Sequence, residues 1–302
     1  MKARIIEVGP RDGLQNESAV IPTQVKLAFI EHLIAAGVTT IEATSFVNPR
    51  WIPALADATE LAALLPRAEG VQYAALVPNM KGYERFRQTQ LDMPAVFMSA
   101  SDTHNRKNIN KSIEETYPVL REVVEAARAD GKPVRGYVST VFGCPYEGDV
   151  DPEAVLRVIE TMLDWGIAEI SLGDTIGVAT PRQVVAFLEV LERAKVPAEK
   201  IALHFHDTRG TALANYLAGL QMGIHKLDAS AGGLGGCPYA PGAAGNAATE
   251  DLVYMLSGMG VETGIHLDKL AEAGRYISKA LGKRLPGKYH QAYLATCESQ
   301  GT

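Results

Sequence analysis

The sequence has few cysteines, no long apolar run and no cluster of like charge. Its 302 residues contain three cysteines, Cys144, Cys237 and Cys297, which do not form the paired framework of a disulfide-rich secreted domain. No uninterrupted apolar stretch reaches the roughly 18 residues that a membrane-spanning helix needs. The net charge of -6 gives no indication of nucleic-acid binding. A strand pattern, ARIIEV, begins near the N-terminus and leaves no space for a signal peptide. We therefore expect a cytoplasmic protein that binds a small molecule, and neither nucleic acid nor membrane.

Short β-rich runs alternate with helical patterns along the chain. Strand Arg4–Val8, helix Thr23–Ala36 and strand Thr39–Thr44 form a first βαβ unit. The alternation reaches eight strand–helix pairs, the last helix being Ala247–Leu256, and no linker divides the chain into halves. Eight pairs favour a closed barrel over two doubly wound domains. A further helical pattern at Leu267–Leu281 follows the eighth pair.

The predicted fold class is thus α/β, a (β/α)8 TIM barrel with an added C-terminal helical segment. We expect one catalytic domain over residues 1–302, with the barrel at about 3–258 and the helical extension at about 259–302. Reactive groups of such barrels lie on the loops that follow the strands. Charged and metal-capable side chains gather at those places, as in GPRDGLQNE after the first strand and HFHD at the seventh. One face of the barrel is therefore the predicted active end.

Two histidines on the seventh strand predict a metal site. His204 and His206 are two residues apart, so both side chains point to one face, while Phe205 points into the helix layer. Asp12 follows the first strand and Asn246 follows the last, and we expect both to be neighbours of the seventh strand in a closed barrel. Two imidazoles, one carboxylate and one amide oxygen suit Mg²⁺ or Mn²⁺ better than structural zinc.

Further charged residues surround this predicted metal site. Arg11 lies beside Asp12 and carries a fixed charge that can neutralise a carbonyl or enolate oxygen. Glu42 and Asp174 end strands two and six, where they can orient Arg11, a bound water or a histidine, or simply pair with Arg11. Asp207 leaves its strand on the face opposite His206, which favours a helix-capping or orienting role over a role as a metal ligand.

The segment Gly232–Glu250 reads GGLGGCPYAPGAAGNAATE and places one cysteine in a loop of glycine, proline and alanine. Its glycines permit close approach of the backbone to a ligand, and we expect the loop to move. Cys237 is the titratable side chain of this loop, and a flexible linker with a chance cysteine is the alternative interpretation.

Five motifs together resemble the 3-hydroxy-3-methylglutaryl-CoA lyase family over nearly the whole chain. They are EVGPRDGLQNE, IEATSFVNP, SLGDTIG, HFHDT and GGLGGCPYAPGAAGN. The wider DRE-TIM metallolyase superfamily, which includes isopropylmalate and homocitrate synthases, is similar in its barrel, its Arg-Asp pair and its His-x-His ligands. The GLGGCPYAPGA loop distinguishes the lyases.

The resemblance implies cleavage of 3-hydroxy-3-methylglutaryl-CoA, an acyl-CoA thioester, to acetyl-CoA and acetoacetate in leucine or ketone-body metabolism. It implies a divalent cation, and a homodimer or higher homo-oligomer is expected. The family's metal ligands correspond to Asp12, His204, His206 and Asn246. Its catalytic arginine corresponds to Arg11 and its loop cysteine to Cys237, and Glu42 and Asp174 complete the expected catalytic set. We assign Arg11, Gln15, Gly235 and Gly236 to substrate binding.

The resemblance also implies roles in a retro-Claisen reaction. His204, or a base or water held by Glu42, takes the proton of the tertiary alcohol, Arg11 meets the enolate oxygen and Cys237 donates the final proton. Three alternatives stay open: a lyase for a longer 3-hydroxy-3-alkylglutaryl-CoA, a Claisen-condensing synthase of the superfamily, and a catalytically silent barrel that serves in binding or assembly.

Overall fold

A closed barrel of eight parallel strands forms the centre of the computed structural model, which describes residues 1–17, 19–236 and 245–300. Each strand pairs with the next along the chain, and β8 closes the barrel against β1 through Arg4↔Lys226 to Glu7↔Ala229. The strands are β1 Arg4–Glu7, β2 Thr40–Ser45, β3 Gln72–Leu76, β4 Met93–Ser99, β5 Arg135–Ser139, β6 Glu169–Asp174, β7 Ile201–Phe205 and β8 Lys226–Ala229.

Helices surround this barrel and continue beyond it. They are α1 Thr23–Ala35, α2 Ala58–Leu64, α3 Met80–Arg87, α4 Asp102–Ile109, α5 Ile113–Ala129, α6 Pro152–Asp164, α7 Pro181–Arg193, α8 Ala212–Gln221, α9 Thr249–Gly258, α10 Leu267–Leu281 and α11 Lys288–Gln300. The predicted (β/α)8 barrel with a C-terminal helical segment is confirmed. No helix among the described residues is both long and apolar enough to cross a bilayer.

The main apolar core lies between the barrel and its helices. Strands β2 and β7 are buried along their whole length, as expected of parallel strands that are covered on both sides. Phe205 illustrates the outward side of β7, because its ring packs edge-on against Tyr216 of α8 with the ring centroids 4.9 Å apart. The histidines on either side of Phe205 therefore point into the barrel, as predicted from the strand period.

The interior of the barrel is strongly polar. Arg135 of β5 donates to both carboxylate oxygens of Asp228 of β8, at 2.5 and 2.7 Å, although these strands are not neighbours. The same guanidinium also pairs with Glu169 of β6, which in turn contacts Arg4 and Lys226. A network of buried charges thus crosses the centre of the barrel.

Candidate metal and active site

Three side chains bring metal-ligating atoms together at the carboxyl end of the barrel. Asp12 lies in a short π-helical turn, Gly9–Gly13, directly after β1, and His204 and His206 lie on and just after β7. One ligand atom of each of the three lies within 4.8 Å of the others. Both histidines are buried, with 8% of their surfaces exposed. The predicted convergence of these residues is therefore present in the structure.

Asn246 joins this cluster from the other side of the glycine-rich loop. Its backbone pairs with that of His206 as an isolated β-bridge, and its side-chain amide group donates to Asp12 Oδ2 at 2.9 Å. The amide carbonyl, Oδ1, is buried and has no hydrogen-bond partner among the described residues. A buried acceptor without a donor costs free energy unless a ligand satisfies it. The donor set of two imidazoles, a carboxylate and this oxygen fits a divalent cation.

Arg11 holds two carboxylates in place beside the cluster. Its Nε and Nη2 donate to Glu42 Oε2 at 2.7 and 2.6 Å, and its Nη1 pairs with Asp12 Oδ1 at 2.5 Å. Glu42 is fully buried within β2 and not at its end as expected, because the strand continues to Ser45, and its second oxygen has no partner among the described residues. Burial raises the pKa of the Glu42 carboxyl, and the charge of Arg11 opposes that rise. Arg11 is therefore oriented by Glu42, as one of the predicted roles requires.

The charges in the site favour metal binding by Asp12 and His206. Although burial raises the pKa of the Asp12 carboxyl, the positive charges of Arg11 and of the histidines lower it well below its ordinary value. Burial, followed by the neighbouring His204, lowers the pKa of His206 to about 4. Both groups are consequently deprotonated near neutral pH, which is the state that a metal ligand must have.

The His204 ring has one nitrogen on the side of the candidate metal site and contacts a buried carboxylate with the other. Its Nε2 lies 4.0 Å from Asp12 Oδ2, and its Nδ1 lies 3.3 Å from Asp228 Oδ2. Burial lowers the pKa of His204, but the hydrogen bond to Asp228 and its charge outweigh that effect and raise the pKa. Asp228 was not among the predicted site residues. The available signal was an acidic residue between Leu227 and Ala229 in the eighth strand.

Asp174 and Asp207 both accept hydrogen bonds from backbone amides. The two carboxylate oxygens of Asp174 accept from Val178 and Ala179 at 2.9 and 3.1 Å, which orders the loop after β6. Burial raises the pKa of Asp174 to about 6. Asp207 accepts from the amide of Ala212 at the start of α8, which agrees with the predicted capping role.

A cavity of about 570 Å³ opens beside the candidate metal site and is the candidate binding site for a small molecule. Its lining includes Arg11, Gln15 and Gly236 of the predicted substrate-binding set, together with Tyr137, which the sequence analysis missed. The Tyr137 ring lies edge-on to His204, with centroids 6.4 Å apart, and faces the Arg11 guanidinium at 5.6 Å.

Gly235 has a packing reason to be glycine. Its φ is +112°, and a Cβ there would lie 2.9 Å from Asn246 Nδ2. Any side chain would therefore displace the Asn246 amide from Asp12. Cys237 lies outside the described residues, so its predicted role stays a prediction.

The barrel and the side chains at its carboxyl end define the class of protein: a (β/α)8 barrel with a candidate metal site. The HMGL-like family model matches residues 2–277. The chain is 55% identical to hydroxymethylglutaryl-CoA lyase YngG of Bacillus subtilis, with 98% of each chain covered. It is 49% identical to the mitochondrial hydroxymethylglutaryl-CoA lyase of Bos taurus, covering 98% of this chain and 90% of that protein.

A solved structure agrees with these relatives. It is an HMG-CoA lyase from Acinetobacter baumannii in complex with coenzyme A and 3-methylmalate, which superposes with a TM-score of 0.91 at 39% identity and covers 96% of this chain and 95% of that one. The chain belongs to the hydroxymethylglutaryl-CoA lyase family.

Proposed function

We propose that this protein is a carbon–carbon lyase that cleaves 3-hydroxy-3-methylglutaryl-CoA to acetyl-CoA and acetoacetate. One observation carries the proposal: ligand atoms of Asp12, His204 and His206 lie within 4.8 Å of one another beside the free carbonyl of Asn246 and the Arg11 guanidinium. Relatives that are 55% and 49% identical over almost the whole chain carry this activity in their names. Their similarity favours the lyase over a condensing synthase or a silent barrel.

Asp12, His204, His206 and Asn246 would hold the divalent cation of the reaction. When bound, such a cation acts as a Lewis acid that lowers the pKa of a coordinated hydroxyl group. We propose Mg²⁺ or Mn²⁺, because two of the four donor atoms are oxygens and water or substrate can complete an octahedron.

The residues of the chain then supply the proton transfers and the charge stabilisation. A base removes the proton of the tertiary hydroxyl, the oxygen forms the ketone of acetoacetate, and the electrons of the broken carbon–carbon bond pass to the thioester enolate. Arg11 is placed to stabilise the enolate oxygen, because its guanidinium lines the cavity and is held in position by ion pairs with Glu42 and Asp12. Cys237 would protonate the enolate carbon to give acetyl-CoA.

The base is His204 or a water held by Glu42. Nε2 of His204 faces Asp12 and its Nδ1 faces Asp228, so neither ring nitrogen would be free to accept the substrate proton when the cation is bound. Glu42 Oε1 is buried without a partner among the described residues and is available to accept a proton or a water. The geometry favours Glu42, and Asp174 supports the same end of the barrel by ordering the β6 loop.

We also propose the wider setting of this activity. Residues 1–302 would act as a single catalytic domain, in the cytoplasm, as a homodimer or higher homo-oligomer, in leucine degradation or ketone-body metabolism.

The function is tested by kinetics on purified protein after chelation. We expect no turnover of 3-hydroxy-3-methylglutaryl-CoA until Mg²⁺ or Mn²⁺ is restored, and a lower kcat/KM for a longer 3-alkyl analogue. Asp12→Asn should lose bound metal and activity together, whereas Asp207→Asn, which alters only the carboxylate bonded to Ala212, should keep both. Full metal content in folded Asp12→Asn would remove Asp12 from the ligand set. Preference for the longer substrate would replace the proposed one.

A further inference from the structure

Asp228 is a buried carboxylate that connects His204 to the charge network inside the barrel. It is 1% exposed, and its two oxygens receive four contacts from three side chains. Arg135 Nη2 donates to Oδ1 at 2.5 Å and to Oδ2 at 2.7 Å. Ser171 Oγ donates to Oδ2 at 2.8 Å, and His204 Nδ1 lies 3.3 Å from the same atom. Side chains from β5, β6 and β7 therefore hold this β8 carboxylate in one orientation.

The identity of these partners determines which ring nitrogen of His204 carries the proton. A carboxylate only accepts hydrogen bonds, so the His204 nitrogen that contacts Asp228, Nδ1, must be the protonated one. The other nitrogen, Nε2, then presents its lone pair on the side of Asp12. A histidine needs an unprotonated nitrogen to bind a metal, and the bond at its other nitrogen selects which one that is.

We propose that Asp228 is a positioning residue that fixes His204 in the Nδ1-protonated tautomer and so presents Nε2 to the divalent cation. Arg135 and Ser171 act through Asp228, because they hold its carboxylate without touching His204 in the hydrogen bonds described above. The inference rests on the proposed metal site of the lyase.

Asp228→Asn tests this role because it replaces one acceptor of the carboxylate with a donor. Both carboxylate oxygens accept from Arg135 Nη2, at 2.5 and 2.7 Å, so the amide nitrogen of the variant faces a donor in either orientation. With the amide nitrogen at the position of Oδ2, His204 would have to accept at Nδ1 and carry its proton on Nε2, which is the wrong tautomer for the metal. With the amide nitrogen at the position of Oδ1, the contact between two donors weakens the hold of Arg135 on the group that orients His204. The same logic makes an Asp-to-Asn change costly in a histidine-based catalytic triad.

Metal affinity gives the first measurement. Mn²⁺ titration by calorimetry or electron paramagnetic resonance should show a Kd about 10–100-fold weaker in Asp228→Asn than in the wild type. Glu169→Gln is the matched control, since Glu169 is also a buried carboxylate paired with Arg135 but is not bonded to His204. It should bind Mn²⁺ within about threefold of the wild type. Equal weakening in both variants would assign the effect to the charge network as a whole and overturn the proposal.

The tautomer itself gives a second measurement that needs neither metal nor a folded Asp228 variant. In metal-free wild-type protein labelled with ¹⁵N-histidine, two-bond proton–nitrogen correlations at mildly alkaline pH should show His204 protonated on Nδ1. His204→Asn identifies the signals by their loss. Protonation on Nε2 would overturn the proposal.

The two measurements separate this inference from the proposed function. A wild type that binds no Mn²⁺ would contradict the metal site, while the tautomer of the metal-free protein would still decide whether Asp228 fixes His204. A wild type that binds Mn²⁺, together with an Asp228→Asn variant of equal affinity, would overturn the inference alone.

Discussion

Arg11 combines charge with a forked shape, and the site uses both. Two of its nitrogens contact Glu42 and a third contacts Asp12, so one planar group separates and orients two carboxylates. In Arg11→Lys a single ammonium group cannot reach both partners in this way. We expect kcat to fall about 10²–10³-fold with metal content unchanged, measured by steady-state kinetics and elemental analysis. Arg209→Lys, which changes contacts to backbone carbonyls at the same end of the barrel, is the control.

An outcome with normal kcat and a raised KM in Arg11→Lys would place Arg11 in substrate binding alone. Such a result would leave the enolate without its proposed cation and would shift that role to the bound metal ion.

Cys237 allows proton donation to be tested without a large change of size. Cys237→Ser keeps a small polar side chain, but a hydroxyl is a far weaker acid than a thiol of pKa about 8.5. We expect metal content and KM to stay near the wild-type values while kcat falls by about 10²–10⁴, the usual contribution of a positioned acid. Cys144→Ser should have little effect on kcat. Wild-type turnover in Cys237→Ser would remove the catalytic assignment and leave a histidine or a bound water as the acid.

The sequence predicted the residues that converge at the candidate metal site because each of them follows a strand or lies on one with a readable period. His204 and His206 were identified by a spacing of two, and Asp12 and Asn246 by their places after the first and last strands. The last strand is a neighbour of the seventh in the closed barrel, whereas the first is one strand further away. Asp228 was missed because its partners, such as Arg135, lie on strands remote in sequence. Strand periodicity says which way a side chain points, but only the closed barrel shows what it meets across the interior.

At the scale of elements, two helices end in the same way but against different neighbours. After α1, the amide of Gly37 bonds to Ile34 and φ is +96°; after α5, the amide of Gly131 bonds to Arg128 and φ is +72°. A Cβ on Gly37 would lie 2.4 Å from the carbonyl oxygen of Gly264, whereas a Cβ on Gly131 would meet nothing within 4 Å. A substitution at Gly131 therefore introduces backbone strain alone, whereas a substitution at Gly37 introduces backbone strain together with a steric clash.

We predict that Gly37→Ala destabilises the protein more than Gly131→Ala does. Gly131→Ala should cost about 1–2 kcal/mol, the usual penalty of a left-handed conformation. Gly37→Ala should add the cost of moving the backbone that leads into α10, for a total of about 3 kcal/mol or more. Thermal unfolding should report the difference as a Tm lower by about 2–4 °C per kcal/mol. Equal Tm values for the two variants would show that the backbone around Gly264 can move to accommodate the new Cβ without a loss of stability.

The elements that the sequence predicted are those with apolar periodicity. Helix α10 has the predicted bounds, Leu267–Leu281, and a short 3-10 turn at Pro53–Leu55 precedes α2. Helix α4 was not predicted because its sequence, DTHNRKNI, has no apolar stripe. Its start is fixed instead by the Ser101 hydroxyl, which accepts from the amide of His104.

At the scale of the whole molecule, two buried acidic residues connect the first strand and the last barrel helix, α9, with the start of the glycine-rich segment that follows β8. Glu7 of β1 accepts from the amides of Gly9 and Ala231 and from the Thr249 hydroxyl, at 2.7–2.9 Å. Glu250 of α9 accepts from the amide of Gly232 at 2.6 Å. Burial raises the pKa of Glu7 to about 7 and that of Glu250 to about 8, with their hydrogen bonds opposing the rise.

These raised pKa values predict a loss of stability as pH rises. Between the unfolded value of 4.5 and the folded value of about 8, Glu250 holds a proton in the folded protein that the unfolded chain has released. The stability that this proton provides is complete below about pH 4.5 and is lost as pH rises through about 8, at about 1.4 kcal/mol per unit of pKa difference. The folded protein must then carry a buried charge.

Glu250→Gln removes this titration while an amide oxygen can still accept from Gly232. We therefore expect the Tm of the wild type to fall more steeply than that of Glu250→Gln between about pH 6 and pH 9, so that the variant gains on the wild type as the pH rises. Thermal unfolding at each pH measures the difference. Glu262→Gln, which changes an exposed carboxylate paired with Lys2, should instead give a curve parallel to that of the wild type. If the Tm values of Glu250→Gln and the wild type change with pH in parallel, the Glu250 carboxylate is already ionised in the folded protein. Neighbouring groups at the N-terminal end of α9 would then stabilise its charge.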